Sequence, residues 1–294
     1  VKQRGTTDQS GVSLFAGLIY MTRYLIVNAD DFGISAGVSR GILEGHQRGI
    51  LTSTSAMVNL PDTPVFIRRA QQEAPRLGIG LHFTLSFGKP VSVAERVPSL
   101  VTADGRFCST YETLQEMAKS FTAEDLRTEL TAQFDRFVEI AGRLPDHLDS
   151  HHGITYTHPD AYDVMRGLAQ QHQLPIRNES WFLDSGQDSA AAERLRKIHG
   201  TYPDPIWPQA FDPQPTFYDQ HATLENLLHA IEAVPEGVSE FACHPGYGAD
   251  LDETYAAPRE QELAIVTSEA ARTAIERGGI QLVNFGDLAR LLGR

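Results

Sequence analysis

The sequence predicts an α/β fold: a single-domain, TIM-barrel-like (β/α) barrel of about seven strands. Three observations predict it. Strand-like and helix-like segments alternate from Met21 onward. Leu77–Leu85 alternates strictly, with Leu77, Ile79, Leu81, Phe83 and Leu85 on one face and Gly78, Gly80, His82 and Thr84 on the other. Ionisable residues gather at the predicted C-terminal ends of strands, the face on which barrel enzymes build their sites.

Taken in order, Tyr24–Asn28 is a short apolar strand that runs into Asp30-Asp31-Phe32-Gly33, and Ser35–Arg48 is the helix after it. Ser53–Val58 and Thr63–Glu73 are the next strand and helix. Leu77–Leu85 is the third strand; in a barrel its aliphatic set faces the helices and its small and polar set faces the interior. Residues 86–109, rich in Pro, Gly and Ser, read as a long functional loop. Helical patterns cover Thr110–Ser120 and Thr122–Gly142, the second with Phe134, Phe137, Val138 and Ala141 on one stripe. His147–His151 is a strand, Pro159–Gln171 a helix and Pro175–Glu179 a short strand, followed by an irregular stretch from Trp181 to Tyr218. Leu224–Ala233 is helical, Val238–His244 a strand, Arg259–Arg277 one helix, Gln281–Asn284 the last strand and Asp287–Leu292 a closing helix.

Residues 1–20 stand apart. Gly11–Tyr20 is short and largely apolar behind Lys2 and Arg4, yet no A-x-A cleavage site follows. The expectation is an N-terminal extension, disordered or from an early start codon, with the barrel domain at 21–294. Across all 294 residues, 25 Lys and Arg face 38 Asp and Glu, a net charge of −13. That balance speaks against nucleic acid or an anionic membrane surface as partner, because both need clustered cations. No run of 18 apolar residues predicts a membrane span. Two cysteines, Cys108 and Cys243, make no disulfide framework and no CxxC, which points to a reduced, cytoplasmic protein.

The polar strand ends carry the chemistry. Of two adjacent carboxylates such as Asp30 and Asp31, one can bind a metal while the other takes a proton, provided the turn aims both inward; the same residues also suit helix capping. His82 belongs to the inner set of its strand, as a hydrogen-bonded core residue or as a ligand. His147, Asp149 and His151 share a face by the period of two, and three ionisable groups are hard to bury without a metal, water or substrate. His152 points the other way unless the strand has ended. His244 sits on the inner set of its strand, as core residue or catalyst, with Phe241 and Cys243 outside; Cys243 reads as a buried small hydrophobe. Together these groups supply one Asp and two His for a mononuclear metal, a spare Asp as base and a further His as acid.

N-A-D-D-F-G at 28–33, G-L-H at 80–82, H-x-D-S-H at 147–151 and C-H-P-G at 243–246 resemble the YdjC-like carbohydrate deacetylases. That family includes chitooligosaccharide deacetylases and hopanoid-biosynthesis-associated proteins. The resemblance runs from about residue 23 to 292 and takes in G-I-L-T-S-T-S at 49–55, R-x-x-E-L at 259–263 and the terminal Q-L-V-N-F-G-D-L. It implies a metal-dependent hydrolase that removes an acetyl group from an N-acetylated amino sugar. By that resemblance Asp31, His82 and His151 bind one divalent metal ion, Mg or Zn first and Co, Ni or Mn as alternatives. Asp30 is then the general base and His244 the acid. His147, Asp149, His152 and Arg259 bind substrate or support the ligands. One departure is visible: the fourth motif continues His151-His152-Gly153-Ile154-Thr155, where many relatives alternate histidines. This leaves the ligand intact but alters the wall beside it.

The expected partner is a small N-acetylated sugar or glycoconjugate, with homodimerisation left open. Phe87, Phe107, Trp181, Phe182, Trp207, Phe211 and Phe217 lie in the two long loops and offer flat faces for a sugar ring. Two alternatives use the same residues: an esterase or phosphoesterase on a small substrate, and a sugar-binding protein without turnover. A paired base and acid speak against the second, since binding needs neither.

Overall fold

Arg177 reaches from beside the fourth strand to touch both the first and the sixth, and only a sheet curled into a barrel allows that. The computed structural model describes residues 22–178, 209–210, 217–251 and 255–291. Its strands are β1 (Arg23–Phe32), β2 (Ser53–Ala56), β3 (Gly78–Phe83), β4 (Leu148–Ser150), β5 (Gln209–Ala210), β6 (Gly237–Cys243) and β7 (Gln281–Leu282). The helices are α1 (Ala36–Arg48), α2 (Thr63–Glu73), α3 (Tyr111–Ala118), α4 (Ala123–Ala141), α5 (Ile154–Thr157), α6 (Pro159–His172), α7 (Leu224–Ala233), α8 (Ala256–Val266), α9 (Glu269–Arg277) and α10 (Phe285–Leu291).

All strand pairs are parallel, in the order β4-β3-β2-β1-β6-β5. β6 follows one edge of β1 from Arg23 to Ala29. The other edge is shared: β7 pairs with Tyr24 and Leu25, and β2 takes over from Asn28. The expected alternation holds. Leu25, Val27 and Ala29 of β1 join Ile79, Leu81, Phe83, Phe241 and Cys243 in the large outer core beneath the helices. On the inner face Tyr24, Ile26, Val238, Val283, Phe285 and Leu288 form a separate apolar plug. Farther along the same inner face the side chains turn polar: Asn28, Asp30, Asp149 and Glu240 are all buried. The plug excludes water from one end of the interior, so these groups depend on one another for partners.

Several boundaries differ from the sequence expectation. β1 continues through the N-A-D-D-F motif to Phe32 instead of stopping at Asn28. Arg259–Arg277 is two helices, because Ser268 takes an extended backbone and its side chain accepts the N–H of Ala271, which caps α9. The strand expected at Pro175–Glu179 is reduced to a single bridge between Leu148 and Ile176, with Glu179 outside the described residues. The 86–109 loop is a folded wall. Gln133 of α4 exchanges two hydrogen bonds with the backbone of Thr84, and Glu129 accepts the N–H groups of Val91 and Ser92. Val97, Leu100 and Phe107 from this loop are core residues. Residues 1–20, Trp181, Phe182, Trp207 and Phe211 lie outside the described residues. Among the described residues no helix is long and apolar enough to cross a membrane.

Candidate functional site

A local break in β1 makes the site. Neighbours on a regular strand point to opposite faces, yet Asp30 and Asp31 both turn into the barrel. The register against β2 slips between Ala29 and Phe32, and Asp31 adopts left-handed backbone with φ 70°. Such a conformation is rare outside Gly but tolerated by Asp, and a bulge of this kind re-aims a side chain. Gly33 follows at φ 99°, and a Cβ there would lie 2.1 Å from Thr63 Oγ1, so the turn after the aspartates admits only glycine.

Asp31, His82 and His151 converge. Asp31 Oδ1 lies 3.4 Å from His82 Nε2 and 3.0 Å from His151 Nδ1. Asp31 Oδ1 is nevertheless a buried oxygen with no aligned hydrogen bond. Three donors within 4.8 Å of one another, one of them an orphaned carboxylate oxygen, fit a divalent cation held by one carboxylate and two imidazoles. The ring of His82 is set from behind, its Nδ1 lying 2.8 Å from Asp149 Oδ1. Asp149 is held in turn by Ser55, whose hydroxyl donates to Oδ2 and also contacts His147 Nε2 at 3.2 Å. His147 is stacked on Phe285 at 4.0 Å, so its place is to support Asp149 from below. His151 opens a 3-10 turn after β4 has ended, and His152 (φ 55°) folds back to stack on its ring at 3.9 Å. The left-handed turn, and not strand alternation, therefore decides where His152 goes.

Charges in this cluster are strongly perturbed. Burial opposes the charge on Asp31, but the nearby His151 and Arg259 outweigh it and hold the carboxyl well below its usual range. Burial likewise disfavours imidazolium at His82, yet the charge and hydrogen bond of Asp149 push it up to about 10.

Asp30 has a different partner, one that the sequence did not single out. Arg177 NH1 and NH2 donate to its two oxygens at 2.8 and 2.6 Å. The same guanidinium lies 3.0 Å from Asp149 Oδ2 and donates through Nε to Glu240 at 2.6 Å. Burial works against ionised Asp30, and Arg177 overcomes it, leaving the carboxyl below its ordinary value. Asp30, His82 and Asp149 form a second convergent set, but Arg177 already supplies the positive charge between its two carboxylates.

His244 directly follows β6, half-buried, with its ring edge-on to Tyr218 and Tyr255, each at 5.6 Å. Burial lowers its pKa below the usual imidazole value. Its backbone N–H donates to Glu262, whose other oxygen accepts the Tyr255 hydroxyl. Of the loop aromatics, Phe87 stands beside the site, 6.3 Å from the His151 ring. Phe107 and Phe217 do not serve a ligand: both are buried in the core, and Phe217 packs on Phe241 at 5.2 Å.

Fold and site together define a parallel (β/α) barrel with a buried carboxylate–imidazole centre on the rim formed by the C-terminal ends of its strands. The family model described as YdjC-like protein matches residues 24–277, and the chain belongs to that family. It is 34% identical over 276 residues to a carbohydrate deacetylase of Geobacillus stearothermophilus, covering 92% of this chain and 100% of the relative. It is 35% identical over 274 residues to a chitooligosaccharide deacetylase of Serratia marcescens, covering 91% and 100%. A crystal structure from Enterococcus faecalis V583, provisionally assigned as a cellobiose-phosphate cleavage protein, matches with a TM-score of 0.76 at 33% identity, over 91% of this chain and 99% of that one. The Xyl-CE4 domain of a multidomain xylanase from the hindgut metagenome of Trinervitermes trinervoides shares the fold, with a TM-score of 0.52 at 9% identity over 92% of each chain.

Proposed function

We propose that this protein is a metal-dependent carbohydrate deacetylase that hydrolyses the N-acetyl group of a small amino sugar or glycoconjugate. The observation that carries the reading is the division of labour between adjacent aspartates: Asp31 Oδ1 converges on two imidazoles, while Asp30 is held ionised by Arg177. The named relatives support the substrate class.

Asp31, His82 and His151 would hold the ion. Two imidazoles favour Zn or another late divalent metal over Mg, which prefers oxygen ligands. A divalent ion in such a set supplies Lewis acidity, polarising the acetyl carbonyl and making water easier to deprotonate. Asp30 accepts the proton that the attacking water releases. His244 gives a proton to the amide nitrogen as the C–N bond breaks, so that a neutral amine leaves and acetate remains. Its lowered pKa makes the imidazolium a stronger donor while reducing the protonated fraction. Arg177 keeps Asp30 ionised and oriented, and Asp149 fixes the ring of His82. Phe87 offers an apolar face next to the ligands for the sugar ring. Two free, buried cysteines are consistent with a cytoplasmic location.

The test is metal analysis of the purified protein together with acetate release from a panel of N-acetylated mono- and oligosaccharides. Release from short N-acetylated sugars, abolished by chelation and restored by a divalent ion, is the expected result. Turnover of acetyl esters with every amide inert would replace the deacetylase by an esterase. Activity on long polymers alone would leave the hydrolase but discard the small substrate.

A further inference from the structure

Helix α8 sends two buried side chains to the rim of the barrel that the reaction above does not use. Arg259 and Glu262 are three residues apart and share one face of the helix. Glu262 takes the backbone N–H of His244 and the hydroxyl of Tyr255. Arg259 reaches farther. One terminal nitrogen donates to Asp31 Oδ2 at 2.7 Å, and the other donates to the carbonyl of His244 at 3.4 Å. Its guanidinium carbon lies 5.7 Å from the centre of the Tyr255 ring.

We propose that Arg259 is a positioning residue for the cation: by taking Oδ2 of Asp31 it leaves Oδ1 as the single donor oxygen and aims it at His82 and His151. A carboxylate can ligate through one oxygen or both, and rotation about its last bond exchanges them. In this protein the two oxygens are unequal. Oδ2 accepts a charge-assisted hydrogen bond, whereas Oδ1 has none and lies 3.0 and 3.4 Å from the two ring nitrogens. Rotation of Asp31 is opposed further because the same guanidinium is tied to the end of β6 through His244. A lysine could donate to Oδ2 but could not fork to both acceptors, since its ammonium lacks the planar spread of a guanidinium. The inference rests on the reading of Asp31, His82 and His151 as a metal site.

The experiment uses the full chain, stripped of metal, as wild type, Arg259→Gln and Arg259→Lys. Zn(II) and Co(II) are titrated by calorimetry, and the visible spectrum of the Co(II) protein reports coordination number, because its absorptivity falls as ligands are added. Wild type is expected to bind one ion. Arg259→Gln should bind it about 10- to 100-fold more weakly, the usual loss when a group supporting a ligand is removed. Its Co(II) absorption should also drop as Asp31 swings to bind through both oxygens. Arg259→Lys should recover part of the affinity, since it restores one donor to Oδ2. Circular dichroism of the metal-free variants checks that each is folded; if Arg259→Gln is not, Arg259→Lys carries the test, with metal affinity expected below that of wild type because the bond to the His244 carbonyl is lost. A folded variant with wild-type affinity and an unchanged Co(II) spectrum overturns the role of Arg259 alone. Absence of ion binding by wild type overturns the metal site itself and this inference with it.

Discussion

Arg177 grips both oxygens of Asp30, at 2.8 and 2.6 Å, from 147 positions away in the chain. The pair closes the barrel electrostatically, since the same guanidinium also bonds Glu240 of β6 and lies against Asp149 of β4. Removing it would take the cation from buried Asp30 and Glu240 and leave Asp149 to His82 and Ser55. Arg177→Met should therefore lower stability by about 3–5 kcal/mol, the scale for breaking a buried ion pair. Urea unfolding measures the loss; a variant as stable as wild type would mean that the network is dispensable.

Asp30→Asn separates binding from chemistry. The amide keeps the shape and can still bond Arg177, but it cannot take a proton. Acetate release should fall about 10²–10⁴-fold, with metal content unchanged by elemental analysis. Near-normal turnover would remove Asp30 from the role of base.

If His82 is a ligand, its raised pKa ties metal uptake to pH. Its ring is pushed up to about 10 by Asp149, so at neutral pH the metal-free protein carries a proton there that a ligand cannot keep. Ion binding should release a proton, and apparent affinity should climb with pH until about 10. Calorimetry in two buffers of different ionisation heat counts the proton. No release would show that His82 does not ligate, and His82→Ala should lower metal content as well as rate.

Glu262 gives stability a pH slope of the opposite sign to that of an ion-paired carboxylate. Burial pushes it up to about 7 from an ordinary value of 4.5. Between those values the folded chain holds a proton that the unfolded chain has lost, so this residue makes stability fall as pH rises. The contribution is on the order of a few kcal/mol. Glu262→Gln should flatten that segment, gaining on wild type between about pH 5 and about pH 8 in denaturant titrations. Parallel curves for the two proteins would contradict the shifted pKa.

Gly80 makes room for His147. A Cβ at Gly80 would lie 2.2 Å from the His147 ring, which is backed by Phe285 and cannot retreat. Gly80→Ala should cost about 1–3 kcal/mol by overpacking. It should also weaken metal binding through the displaced Ser55–Asp149 contact. A thermal melt and a metal titration on one preparation check both effects.

Legibility in the sequence followed the range of the interaction. The alternation in Leu77–Leu85 placed His82 inside and its aliphatic neighbours in the outer core, and the structure agrees. The break between α8 and α9 had a local signal, Ser268 followed by an acidic first turn, which the apolar periodicity across it concealed. His152 escaped the strand pattern because a left-handed residue has no periodicity to read. The loop aromatics looked alike in sequence, yet Phe107 and Phe217 went to the core and Phe87 to the site. Composition cannot distinguish a ring that fills a core from one that lines a pocket.

The sequence by itself determined the repeating β-then-α order, the inner and outer faces of the strands and the motifs at their C-terminal ends. These depend on neighbours a few residues apart, whose geometry the backbone repeat dictates. Only the tertiary structure decided that Asp30 and Asp31 face the same cavity, because that needs the bulge against β2. It alone paired Arg177 with Asp30 and Arg259 with Asp31, across 147 and 228 positions. Such partners have no spacing rule. They meet because a parallel sheet, curling round, brings strand ends distant in sequence to one rim, where low dielectric leaves buried charges no partner but each other.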